Sequence, residues 1–327
     1  MNDKAGADEL LYKAYESLKA GSSLEAEALL REALVLDYEH SGVLYTLKCL
    51  TWWLDKFKRL DAFSNPCEKG EYILAQWKPY YTFLDRLEER EPPAGEENLS
   101  LQTVDFCQYA VKRFVYSQAM KCFLVLLEDR VNQEDPALLL QTGRCCKGAG
   151  NWDEALKYLE LASSLKRDDS AILSELADVN ALLGEARAAK VLFREAFFIN
   201  PQEVNLLGLE SEMILQIWNK VDELGYTGPE STEWIPIWGC IWGVFSIKRE
   251  LKPVELGRLK QSILSLENEI RSKSGNLPYI KPRLLNRYFW LIDHYEYNRD
   301  TAGVGVIEET MLKIQYTDPV VYKEYRT

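Results

Sequence analysis

Histidine is almost absent from this chain of 327 residues. His40 and His294 are the two, far apart in sequence. Two distant histidines exclude a multi-histidine metal site, and no H-E-x-x-H, C-x-x-C or G-x-x-x-x-G-K pattern is present. There is no G-x-S-x-G elbow either. Gly303-Val304-Gly305 precedes a predicted helix but follows no strand, so a nucleotide-binding reading has nothing to rest on. Glycine and proline are sparse, at 18 and 12 residues, which argues against a turn-rich β architecture. Long apolar runs are lacking too. The longest, 234–247, falls short of the ~20 residues a spanning helix needs. The start, Met1-Asn2-Asp3-Lys4, is polar and has no apolar signal core. Seven cysteines without framework spacing fit a reducing compartment, and a cytoplasmic location is expected.

Apolar residues make up 47% of the chain, enough for a substantial core. The net charge is −12. Residues 231–327 hold 14 Lys/Arg against 12 Asp/Glu, a net of +2, which leaves −14 on residues 1–230. An acidic surface repels phosphate backbones, so nucleic acid is not expected as a partner.

The informative feature is an internal period of 34 residues. Aligning 136–169 with 170–203 places Gly143 on Ala177, Gly150 on Gly184, Ala155 on Ala189, Leu159 on Phe193 and Ala162 on Ala196. Small residues at the first position let two antiparallel helices approach closely. Gly150 and Gly184 end the first helix in a left-handed conformation. Leu159 and Phe193 fill the space between the helices. Ala14, Gly21, Ala26, Leu30 and Ala33 keep the same internal spacing in a third copy over 7–40.

This pattern resembles the tetratricopeptide repeat. The resemblance implies an all-α chain, a right-handed solenoid of helix–turn–helix repeats over 1–228. It also implies that the inner faces of the first helices form a peptide-binding groove. Carried onto this sequence, the groove positions are Gln141, Arg144 and Lys147 in one repeat and Ser174 and Asp178 in the next, extended by Gln108, Lys112 and Glu212. Asp178 stands where a carboxylate would have to approach, so binding of a chaperone's C-terminal tail is not expected.

Between the clear copies the register breaks. Residues 41–62 read as an overlong first helix with an apolar stripe of Leu44, Leu47, Leu50, Trp53, Leu54 and Phe57. Glu71–Glu91 reads as a second helix with Pro79 as a kink, completing a divergent unit over 41–91. Glu91-Pro92-Pro93-Ala94-Gly95 breaks the chain. Residues 99–133 read as two further helices, and 204–224 as a helix stacked on the last repeat. The texture changes at Gly228-Pro229, and 229–327 is expected to form a helical cap or repeat-like hairpins. There Thr232 is a plausible N-cap with Pro236 in the first turn, and Pro282 opens another helix. Trp234, Trp238 and Trp242 form one helical stripe, either core or a second interface.

The resulting expectation is a non-catalytic adaptor or scaffold that binds a protein or peptide and needs no cofactor. A second reading is a structural subunit using the Trp234–Trp242 face. A third, less favoured, is an enzyme built around Asp293, His294 and Glu296, which one helix places on different faces. His40 reads as a solvated turn residue, and His294 as a satisfied structural one.

Overall fold

A computed structural model describes residues 2–90, 99–272, 276–298 and 303–326. The break at 91–95 lies outside the described residues. Those described are all-helical, with sixteen α-helices, four short 3-10 turns and no strand. No helix among them is long and apolar enough to cross a membrane. The chain divides into two compact units, 1–165 and 166–327, parted between the two clearest repeats.

In the first unit, α1 (Asn2–Lys19) and α2 (Ser23–Leu36) form a hairpin, as do α7 (Pro136–Ala149) and α8 (Trp152–Leu165). Their turns use Gly21 (φ 84°) and Gly150 (φ 91°), left-handed geometry that glycine adopts without a Cβ penalty. Ala14, Ala26, Leu30 and Ala33 are fully buried in the first hairpin, and Ala155, Leu159 and Ala162 in the other. A Cβ on Gly143 would sit 2.6 Å from Leu159 Cγ, so the helices meet where the sequence has no side chain. Pro136 opens α7, where its missing N–H costs nothing, and the Asp135 carboxylate accepts from Ala137 N at 2.8 Å.

Between these hairpins lie α3 (Ser41–Phe57), α4 (Pro66–Ala75), α5 (Trp77–Arg90) and α6 (Leu101–Leu127). Residues 99–133 are thus one 27-residue helix, capped by Ser100, and a 3-10 turn, not the two helices expected. No glycine or proline interrupts 101–127, so nothing stops the helix. At ~1.5 Å per residue α6 is about 40 Å long, and it packs on α1, α3, α4 and α7. Phe123 fits against Gly70 of α4, where a Cβ would lie 2.5 Å from the ring. Pro79 falls in the first turn of α5, and the chain breaks just before it, at Gln76.

The second unit begins with the hairpin of α9 (Ser170–Leu182) and α10 (Ala186–Ile199), with Gly184 (φ 87°) in its turn. Ala177, Ala189, Phe193 and Ala196 are fully buried, matching the other hairpins position for position. The helix expected over 204–224 starts late, as α11 (Glu212–Glu223), after two 3-10 turns. The cause is Asp178. Its two carboxylate oxygens accept from Glu210 N and Ser211 N, 2.8 Å each, and pin the chain before the helix.

Helix α12 (Pro229–Ile241) starts seven residues before Pro236, which lies mid-helix rather than in the first turn and removes the bond to the Thr232 carbonyl. Similarly α14 (Leu277–Asn298) begins before Pro282. With α13 (Pro253–Ser272), α15 (Gly303–Thr317) and α16 (Pro319–Arg326) these form one continuous core with α10 and α11, centred on Phe197, Trp234, Phe245, Leu285 and Phe289.

Candidate functional site

Helix α3 has two chemically different faces. Val43, Cys49, Leu50 and Trp53 are buried. Leu44, Leu47, Lys48, Thr51, Trp52 and Asp55 recur at helical spacing on the other side. With Phe83 of α5 they line an open groove of about 520 Å³. Its volume lies within the ~300–1,000 Å³ of small-ligand sites, but its open side suits a side-chain stripe better than an enclosed molecule.

The floor is rigid because it is aromatic and backed by more aromatics. The Trp52 and Phe83 rings stack at 5.8 Å and 28°. Trp52 also meets Tyr80 and Trp53, each at 5.1 Å, and Trp53 meets Trp77 at 4.9 Å. Lys56 lies over the Trp52 ring at 4.8 Å. Lys48 and Asp55 stand two helical turns apart along the groove, and Asp55 pairs with Lys58 at 3.4 Å. His40 is no solvated turn residue. It caps α3, Nδ1 accepting from Val43 N at 3.3 Å while Nε2 pairs with Asp8 at 3.0 Å.

A neutral polar network lies behind the floor. Gln108 Nε2 donates to the Tyr45 hydroxyl at 2.8 Å, and the Tyr80 hydroxyl donates to Gln108 Oε1 at 3.1 Å. Burial raises the tyrosine hydroxyls well above their ordinary range. The Cys107 thiol donates to Cys49 and lowers its pKa, and burial raises Cys107.

The residues expected to form a groove are divided between the units, five in the first and three in the second. Gln108 belongs to the interior network just described. Lys112 on α6 and Gln141 and Arg144 on α7 are half-buried. Lys147 is 2% exposed, so its side chain is an interior group. Ser174 is also buried and donates to the Ala171 carbonyl at 3.1 Å. Asp178 is buried and occupied by the two amides that lead into α11. These three are corrected from surface contacts to internal ones. Glu212, beside that capped chain, is exposed and accepts from Gln216 at 2.8 Å.

Of the two readings of the tryptophan stripe, the burial of Trp234 and Trp238 agrees with the core one. Trp234 and Trp238 are core residues, 3% and 6% exposed, and Trp234 stacks on Tyr226 at 4.3 Å. Trp242, half-buried, stacks on Trp238 at 5.4 Å beneath Lys220. The charged trio on α14 is engaged in structural bonds. Asp293 accepts from the buried Arg194, Lys248 bonds Glu296, and Leu251 N donates to His294 Nδ1 at 3.0 Å. Among the described residues no cluster of three or more His, Cys, Asp or Glu could hold a metal ion.

Leu44 and Leu47 were legible as apolar positions on α3 but were assigned to the core stripe. The signal that separates them is the second stripe they share with Thr51 and Asp55, whose polar members mark it as the outer face.

What fold and site define together is an all-helical chain with three matching hairpins and an open, aromatic-floored groove. No protein-family model matches it, and no curated protein does.

Proposed function

We propose that this is a non-catalytic interaction protein of the tetratricopeptide type, a helical solenoid serving as an adaptor or scaffold. Its docking site is the groove between α3 and α5, and the occupant is an amphipathic helix of a partner protein. The observation that carries this reading is the open apolar floor formed by Leu44, Leu47, Trp52 and Phe83 on two rigid helices. Three hairpins that bury equivalent small residues support the repeat class. An apolar stripe on the partner would enter between the helices.

The test is affinity capture from native lysate with the intact chain, with a Leu44→Asp/Leu47→Asp variant, and with Arg144→Glu for comparison. All three are checked for helix content by circular dichroism. A photo-crosslinking residue at the exposed Thr51 identifies what occupies the groove. Burying a charge on the floor removes a central anchor, worth at least about 2 kcal/mol or ~30-fold in affinity. Loss of the partner in the groove variant together with a Thr51 cross-link supports the site. A partner that the groove variant retains, and that never cross-links at Thr51, removes it.

A further inference from the structure

Two thiols meet inside the first unit. Cys49 of α3 and Cys107 of α6 are free cysteines, fully buried, far apart in sequence and hydrogen-bonded sulfur to sulfur. A buried cysteine is ordinarily a small apolar filler. The surroundings of Cys49 are not those of a filler. The Gln108 amide has two N–H groups, one donating to the Tyr45 hydroxyl at 2.8 Å and one reaching Cys49 Sγ at 3.7 Å. The Tyr45 hydroxyl, having accepted from Gln108, keeps its own hydrogen for the same sulfur. The Tyr80 hydroxyl, 3.1 Å from Gln108 Oε1, flanks it as well.

The two sulfurs are therefore unequal. Beside Cys49, Cys107 has the Thr46 hydroxyl as its polar neighbour, whereas Cys49 has an amide, two phenols and a thiol. Donors directed at a sulfur stabilise negative charge on it, so Cys49 is the one that gives up its proton. Burial does not seal the pair. Gln108 is half-buried, which leaves solvent one side chain away from Cys49.

We propose that Cys49 and Cys107 are a reversible redox pair whose oxidised form is a disulfide tying α3 to α6. The oxidant is hydrogen peroxide, uncharged and small enough to pass Gln108. The Cys49 thiolate attacks one peroxide oxygen, the O–O bond breaks, and hydroxide leaves with the proton that Cys49 released, as water. Cys49 is now a sulfenic acid. The Cys107 sulfur attacks it, forming the S–S bond, and the sulfenic oxygen departs with the Cys107 proton as a second water. The two thiols lose two electrons and two protons, and one peroxide becomes two waters. A dithiol reductant restores both thiols by exchange. This chemistry stands whether or not the groove in front of α3 docks a partner.

The test treats the intact, folded chain with hydrogen peroxide from micromolar to millimolar concentration. Remaining thiols are alkylated under denaturing conditions and the peptides are mapped by mass spectrometry. Cys67 and Cys122 are the internal controls, since both are more exposed than the pair and burial raises both thiols. The expected result is a linked Cys49–Cys107 peptide lacking two hydrogens. It forms at lower peroxide than oxidation of Cys67 or Cys122 and disappears with dithiothreitol. In Cys107→Ala, the sulfenic acid on Cys49 persists and is captured by dimedone. In Cys49→Ala, dimedone capture at Cys107 is at least about tenfold lower. Circular dichroism checks both variants, and mapping of the unaltered chain decides the matter if either fails to fold. Oxidation that follows exposure, with Cys67 and Cys122 modified first and Cys49 and Cys107 alkylated as free thiols, overturns the pair. So does a linked peptide that never appears while the chain stays folded.

Discussion

The two units bury polar groups by opposite means. Inside the first, the interior polar groups around α3 and α6 are largely neutral: the Tyr45, Tyr80 and Tyr15 hydroxyls, the Gln108 amide, Thr46 and two thiols. Even Arg113 is met by the carbonyls of Lys147 and Gly148 at the end of α7, at 2.8 and 3.0 Å, where the helix dipole favours a cation. Inside the second, full charges are buried and paired. Arg194 meets Asp293 and Arg283 meets Glu233, while nearer the surface the half-exposed Arg249 holds both Glu195 and Glu255. The difference concerns failure more than net stability. Removing one member of a neutral bond leaves one unsatisfied group, whereas removing one member of a buried pair leaves an uncompensated charge.

Single deletions sharpen this contrast most. Asp293→Ala strands Arg194, which is 3% exposed and also donates to the Ile247 carbonyl. The expected loss is about 3–5 kcal/mol. Gln108→Leu, which leaves two tyrosine hydroxyls short of a partner, is expected to cost about 1–3 kcal/mol. Hydrogen exchange read on peptides from each unit during urea unfolding separates the two effects. Equal losses would erase the contrast.

A second comparison sets two glycines of identical sequence role against each other. Gly150 and Gly184 occupy the same repeat position and the same left-handed geometry, at φ 91° and 87°. Alanine at Gly184 meets nothing within 4 Å, so only the backbone penalty applies, about 1–2 kcal/mol. At Gly150 the new Cβ would lie 3.2 Å from Arg113 Cζ and press on the guanidinium that caps α7. Gly150→Ala is therefore expected to destabilise by roughly 1 kcal/mol more than Gly184→Ala. Thermal unfolding measures both, and an inverted order would show that the Arg113 contact yields freely.

What the sequence revealed and what it hid follow from the range of the interactions. The hairpins were legible because Gly143 meets Leu159, and Ala177 shares a buried core with Phe193, each pair sixteen residues apart along the chain at a repeating offset. The 27-residue α6 was misdivided because a repeat template was laid over a segment that contains no helix stop. Buried Lys147, Ser174 and Asp178 looked like surface residues because polarity was read as exposure. The amides that occupy Asp178 sit 32 and 33 residues further on, in a segment with no repeat pattern. The docking groove was half visible. Its leucines stood out, but Phe83, which makes the floor by stacking on Trp52, joins them only through the fold.

The smallest expected effect concerns pH and is confined to the second unit. His294 is 6% exposed, and burial, with Lys260 acting in the same direction against Glu250, lowers its pKa below the ordinary value near 6.5. The neutral ring accepts the Leu251 amide at 3.0 Å, and a second proton would occupy the accepting nitrogen. Because the folded state binds the proton more weakly than the unfolded one, the contribution of His294 is complete above pH ~6.5. It is lost progressively as pH falls from there through the folded-state value. Glu255 stays charged through that interval, since its hydrogen bond with Arg249 lowers its own pKa. Amide exchange in 243–252, corrected for intrinsic rate, is thus expected to quicken as pH drops below 6.5 while peptides of the first unit do not respond. In His294→Gln the step should vanish. A step that persists in that variant would assign the sensitivity to the carboxylates around Arg249, and the ionic interior of the second unit, rather than its one histidine, would be the part that answers to acid.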